Sequence, residues 1–177
     1  MNKVFFDLEW NTGFLDGNSF DEIIEIGAVK TDEEYRQIDG FRRLIRPVIY
    51  RKMNPYIQKI LAITMKDLQG EEPLASVAKA FFDWCDDCDT LIAWSGNDFG
   101  VLEKNLAHIG MKIPEQLGRY DVQMAYAYRT ENSIRNYALK TAVEAMELPE
   151  GATIEFNGEN EQIMEAMGQV LLMLLLG

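Results

Sequence analysis

Two carboxylates stand two residues apart, at Asp7 and Glu9, inside the stretch Val4-Phe5-Phe6-Asp7-Leu8-Glu9-Trp10-Asn11. The apolar text around them reads as a buried strand. On a strand, residues i and i+2 share a face, so the two acids project side by side from a sheet. Two like charges about 4 Å apart repel by roughly 4 kcal/mol at an effective dielectric near 20. Either solvent reaches the pair where the strand emerges into water, or a hard divalent cation such as Mg2+ or Mn2+ lies between the oxygens. A third acid, Asp98, follows the short apolar run Thr90–Trp94 and the turn Ser95-Gly96-Asn97. It therefore falls in the first turn of a helix just past a strand end, the place where open α/β sheets carry their sites.

Other chemistries have weaker support. The single histidine, His108, lies on the helix after Asp98 and reads as an ordinary surface or core residue. Cys85 and Cys88 have no second pair and no adjacent histidine, which makes a poor zinc site. They are expected as two reduced thiols at helix spacing. Arg42, Arg43, Arg46, Arg51 and Lys52 form the densest basic patch of an acidic chain.

The elements that must position these residues are legible in outline. Turn composition fills Thr12 to Ser19, Ile23 to Val29 reads as a second strand, and Tyr35 to Ile45 as a third. Consecutive strands of this kind pair most economically as an antiparallel meander. Pro55 suits the first turn of a short helix ending at Leu61, and Thr64 caps another turn. Leu74, Val77, Phe81 and Trp84 recur at helix spacing within Pro73–Trp84. Thr90–Trp94 is a short buried strand, and a helix runs from the Asp98 turn to about Ile109. Met111–Leu117 is a linker, and Tyr120–Tyr128 reads as a helix after a short extended segment. Helices are expected over Tyr137–Glu147 and Glu161–Leu175.

At 177 residues, with 47% hydrophobic content, the chain implies one domain spanning 1–177. A formal net charge of -12 argues against a broad polyanion-binding surface, though a small groove can be locally basic or metal-screened. No basic segment followed by an apolar run opens the chain, and the apolar run Val170 to Leu176 is too short to span a bilayer. That run suits the inner face of a last helix or a contact within a homodimer. The expected location is cytoplasmic, without membrane association.

Phe6-Asp7-Leu8-Glu9-Trp10-Asn11, Glu22-Ile23-Ile24-Glu25-Ile26-Gly27-Ala28-Val29, Asn97-Asp98-Phe99 and Leu139-Lys140-Thr141-Ala142 occur in that order. In order and content they resemble the DEDD superfamily of 3′–5′ exonucleases over nearly the whole chain. The resemblance implies an α/β, ribonuclease H-like three-layer fold: a mixed sheet with three antiparallel first strands, flanked by helices. It also implies four carboxylates holding two Mg2+ or Mn2+ ions, which hydrolyse the terminal phosphodiester at a single-stranded 3′ end of RNA or DNA. Asp7, Glu9 and Asp98 match the first three ligands. Trp10 and Asn11 would line the pocket of the terminal nucleotide, Trp10 as a stacking face.

The fourth region departs from the family. One subgroup carries a histidine base with an aspartate five residues later, and the best register puts Phe156 and Glu161 there. A register one residue later puts Asn157 and Gln162 in those places. The other subgroup needs a tyrosine four residues before its aspartate, and this segment has none. Loss of a general base removes roughly 100- to 10,000-fold in rate. The resemblance thus implies a retained fold, a primary metal site at Asp7, Glu9 and Asp98, a loosened second one through Glu161, and weak or absent activity. The alternatives are a pseudo-nuclease that binds nucleic acid or a partner without cleavage, and a purely protein-binding role.

Overall fold

The computed structural model describes residues 1–131 and 138–145. Its centre is a five-stranded sheet of order β3-β2-β1-β4-β5. Strands β1 (Asn2–Leu15), β2 (Asn18–Thr31) and β3 (Gln37–Leu44) form the antiparallel meander. Strands β4 (Cys88–Ala93) and β5 (Gly118–Asp121) add to it in parallel, β4 alongside β1 and β5 alongside β4. Helices α1 (Pro55–Leu61), α2 (Met65–Leu68) and α3 (Leu74–Trp84) lie between β3 and β4 in the chain. Helix α4 (Gly96–His108) joins β4 to β5, and α5 (Val122–Glu131) and α6 (Leu139–Glu144) follow.

The region from Thr12 to Ser19 is not one long turn. Strand β1 continues to Leu15, pairs with Asn18, and turns through Asp16 and Gly17 alone. Both turn residues have positive φ, 50° and 81°. That is the two-residue hairpin whose twist matches its strands, and Asp-Gly is a preferred pair for it. Polar composition had masked a strand whose partner supplies the hydrogen bonds.

Alternation divides the sheet into two chemistries. Val4, Phe6 and Leu8 of β1, Ile26 and Ala28 of β2 and Phe41 of β3 face Val77 and Phe81 of α3 and Leu102 and Leu106 of α4 in the main core. Phe81 is fully buried, with Phe6 and Phe41 rings 6.4 and 5.3 Å away. Such aromatic packing adds about 0.5–1.5 kcal/mol per pair beyond area burial. The intervening residues Phe5, Asp7, Glu9 and Asn11 face the other way. Part of that face is covered by a smaller cluster in which Ile24, Met53 and Leu68 are buried and Ile57 and Leu61 of α1 pack on them.

One irregularity joins the two patterns. Glu9 pairs with Glu25 but Trp10 pairs with Ile23, so β2 carries Ile24 as an extra residue. A bulge of this kind bends the strand and re-aims side chains. Cys85 ends α3 and Cys88 opens β4, rather than both lying on one helix. Both are free and buried, and burial pushes both thiols up to about 12. Among the described residues no helix is long and apolar enough to cross a membrane.

Candidate active site

Strand β1 loses its parallel neighbour after the pair Phe5↔Ile92. The next residues of the same face, Asp7 and Glu9, therefore stand where β4 has ended and α4 begins. Across β2, Asp7 lies opposite Gly27 and Glu9 opposite Glu25. Asp98 enters from the first turn of α4. The backbone N–H of Leu8, between the two strand acids, offsets part of the upward shift of both Asp7 and Asp98.

Ser95 fixes the approach of Asp98. It is the N-cap of α4, its oxygen accepting from the Asn97 N–H at 3.3 Å, while its hydroxyl donates to Asp98 Oδ2 at 3.1 Å. A carboxylate in the first helical turn also gains from the helix dipole. These contacts oppose the burial that pushes Asp98 up to about 6. Asp121, at the end of β5, raises it further. Its Oδ2 lies 2.9 Å from where a Cβ on Gly96 would stand, so a side chain there would have to push the Asp121 carboxylate aside.

The strand acids are more strongly perturbed. Burial, then the charges of Asp98, Glu9 and Glu25, push Asp7 up to about 8. Burial, then Glu25 and Asp98, push Glu9 up to about 7. Three or four carboxylates in one partly dry place are neutralised by protons or by a cation. Their all-oxygen donor set fits a hard divalent ion. Among the described residues no three of them already stand in ligating arrangement about one point; they are charge neighbours, not a closed cage.

Glu25 is a part of this site that the strand pattern concealed. Its side chain is only 2% exposed, and it accepts from Arg42 Nε at 2.5 Å. Arg42 stands on β3 opposite Gly27, in the same cross-strand row as Asp7. The available signal was a lone acid within the apolar run Ile23-Ile24-Glu25-Ile26; its arginine partner depends on the β2–β3 register.

Trp10 alternates to the opposite face from Glu9 and is half-buried against the main core. Asn11 keeps the face of Asp7 and Glu9 but is 1% exposed. Its Nδ2 donates to Lys52 O at 3.1 Å and its Oδ1 accepts from Asn54 N at 2.8 Å. His108 is exposed in the last turn of α4, its ring 5.6 Å from that of Phe20. Ten residues of helix put it about 15 Å from Asp98. Phe156 and Glu161, like the Val170–Leu176 run, lie outside the described residues.

The model of the exonuclease family RNase_T matches residues 4–152. No curated protein matches the chain. Among solved structures, cell-death related nuclease 4 (CRN-4) is similar with TM-score 0.79 and 13% identity, over 98% of this chain and 63% of that one. The nuclease domain of 3′hExo, a DEDDh family member bound to rAMP, is similar with TM-score 0.73 and 15% identity, over 98% and 91%. E. coli Exonuclease I in complex with a dT13 oligonucleotide gives TM-score 0.68 and 14% identity, over 98% and 40%. The chain thus spans less than two thirds of the CRN-4 and Exonuclease I chains. At these identities the structures establish the ribonuclease H-like fold, and the family match establishes the rest: the chain belongs to the exonuclease family, within the DEDD superfamily.

Proposed function

We propose that the chain is a 3′–5′ exonuclease acting on single-stranded 3′ ends of RNA or DNA. The observation that carries this reading is the crowding of half-buried Asp7 and Glu9 with buried Asp98 where β1 outruns β4 and α4 begins, with burial and like charge raising Asp7 and Glu9. Asp7, Glu9 and Asp98 would hold Mg2+ or Mn2+, with Glu161 as the fourth ligand of a looser second site. Divalent ions supply Lewis acidity and lower the pKa of water. The chain's own residues orient and neutralise. Ser95 fixes the Asp98 carboxylate. Arg42 compensates Glu25, so that negative charge remains concentrated on the ligating acids. Trp10 and Asn11 serve the terminal nucleotide from beneath, Trp10 by packing the strand end and Asn11 by seating residues 52–54. Reduced, buried cysteines accord with a cytoplasmic setting.

The test is a 5′-labelled oligonucleotide incubated with Mn2+ or Mg2+. Stepwise shortening from the 3′ end is expected, lowered roughly 100-fold or more in Asp7→Asn, since several kcal/mol of charge stabilisation are lost. Shortening that proceeds equally in Asp7→Asn would overturn the assignment. A second reading, a pseudo-nuclease that binds without cutting, is favoured by the remote place of the sole imidazole, at His108. Tight oligonucleotide binding with no cleavage under either cation would select it.

A further inference from the structure

Between Arg42 and Lys66 the chain carries seven of its 17 lysines and arginines and neither an aspartate nor a glutamate. All 29 acids lie elsewhere, against the ten remaining cations. This segment is seated directly beside the acidic site. Asn11, one strand repeat of about 7 Å beyond Glu9, clamps Lys52 and Asn54 through both ends of its amide. The buried carboxylate of Glu22 accepts three successive N–H groups, from Val48, Ile49 and Tyr50, at 2.6, 2.8 and 2.9 Å. Tyr50 donates its hydroxyl to Phe20 O at 3.0 Å. Its ring fills the place a Cβ would take on Gly13, with ring atoms 2.6 Å away.

The backbone of the segment is therefore held at several points while its cationic side chains remain exposed. Arg46, Tyr50 and Arg51 line a cleft of about 360 Å³ that reaches to Met65 and Gln69 of the α2 region. Tyr50 is the aromatic in its lining, and Tyr56, later in the same segment, is 70% exposed in the first turn of α1.

We infer that this segment is the rail for the phosphodiester backbone upstream of the scissile nucleotide, with Arg51 and Lys52 on phosphates and Arg46 behind them. The inference rests on the exonuclease reading for the identity of its ligand. Charge complementarity selects the occupant: a polyanion is repelled by most of this surface and attracted here, at the border of the acids. A fixed basic groove with an adjacent aromatic is how single strands are held without sequence preference. The backbone is common to RNA and DNA, so the rail serves both.

The test is fluorescence anisotropy with single-stranded RNA and DNA of one sequence, in the slow-cutting Asp7→Asn background with EDTA, over a series of salt concentrations. Each phosphate contact on a single strand contributes about 0.7 to the slope of log affinity against log salt. Arg51→Gln/Lys52→Gln should lower that slope by about 1.4 on both polymers and leave adenosine monophosphate binding unchanged. Arg46→Gln should lower it further, while Lys79→Gln/Lys112→Gln, remote from the segment, should not. Unchanged slopes in both rail variants would overturn the inference, as would a loss confined to one polymer or no binding at all. Cleavage by wild type with unchanged slopes sinks the rail and keeps the exonuclease. Slope loss without any cleavage does the reverse.

Discussion

At Asp7, burial and three neighbouring carboxylates hold the carboxyl at about 8, against 3.8 for an ordinary aspartate. Between those values the native state keeps a proton that the unfolded chain has released. Unfolding then releases protons, so the free energy of unfolding falls as pH rises. Glu9, raised from 4.5 to about 7, and Asp98, raised from 3.8 to about 6, act in the same direction. Without divalent ions, stability should therefore be highest near the ordinary carboxylate range and decline from there until pH has risen past the raised values of about 6 to 8. For Asp7 the loss is on the order of 2 kcal/mol, discounting the full shift for coupling among the acids. Melting curves in EDTA from about pH 5 to about pH 9 measure it. Millimolar Mn2+ should restore the melting temperature at the upper end, since a ligand bound only by the native state stabilises it. Asp7→Asn should flatten the decline and abolish the Mn2+ gain. A melting temperature indifferent to pH in EDTA would show that these carboxylates are not crowded.

Among the elements, α1 closes on a residue that strains it. Ala62 at its C-cap has φ 54° and ψ 17°, with its N–H on Gln58 O. The left-handed region costs a residue with a Cβ roughly 1–2 kcal/mol, and glycine is usual there. Ala62→Gly should relieve the strain and, after the added freedom of the unfolded chain, gain about 0.5–1 kcal/mol. That is a rise of about 1–4 °C in a chain of this length, by the same melting assay; a fall would mean that the Cβ makes a contact worth more than the strain. Local signals marked this part of the chain well. Pro55 at the first turn, Thr64 as a cap and the Leu74–Phe81 stripe each depend on near neighbours, and each element stands close to where those signals put it. The strand period likewise set Asp7 and Glu9 on one face. What stayed hidden depends on register. Glu25 joins the acids because β2 places it opposite Glu9, and Arg42 reaches it because β3 places it one row along. The same period, carried one residue past Glu9, sends Trp10 to the far face, so its half-burial in the core was derivable. Thr12–Leu15 looked like turn because its polar residues carry no period of their own.

For the whole molecule, charge is divided rather than merely excessive. A formal charge of -12 and a pI near 4.5 describe an acidic body with one basic segment lying against its most acidic spot. Self-repulsion of such a body acts over a Debye length of about 30 Å at 0.01 M salt and about 10 Å at 0.1 M. Added NaCl screens that repulsion, and it also weakens ion pairs such as Lys3–Asp89 and Lys30–Asp87. Part-exposed pairs contribute only about 0–1 kcal/mol each, whereas the repulsion sums over every unbalanced acid, so screening should win. In EDTA near pH 8, raising NaCl from about 10 mM to about 300 mM should raise the melting temperature by a few degrees. Near pH 5, close to the isoelectric point, the same change should do little or lower it, because only the pairs remain to be screened. The gain at pH 8 should persist in Asp7→Asn, which separates it from the divalent effect at the site. Equal gains at both pH values would assign the effect to salt acting on apolar burial and remove the electrostatic account.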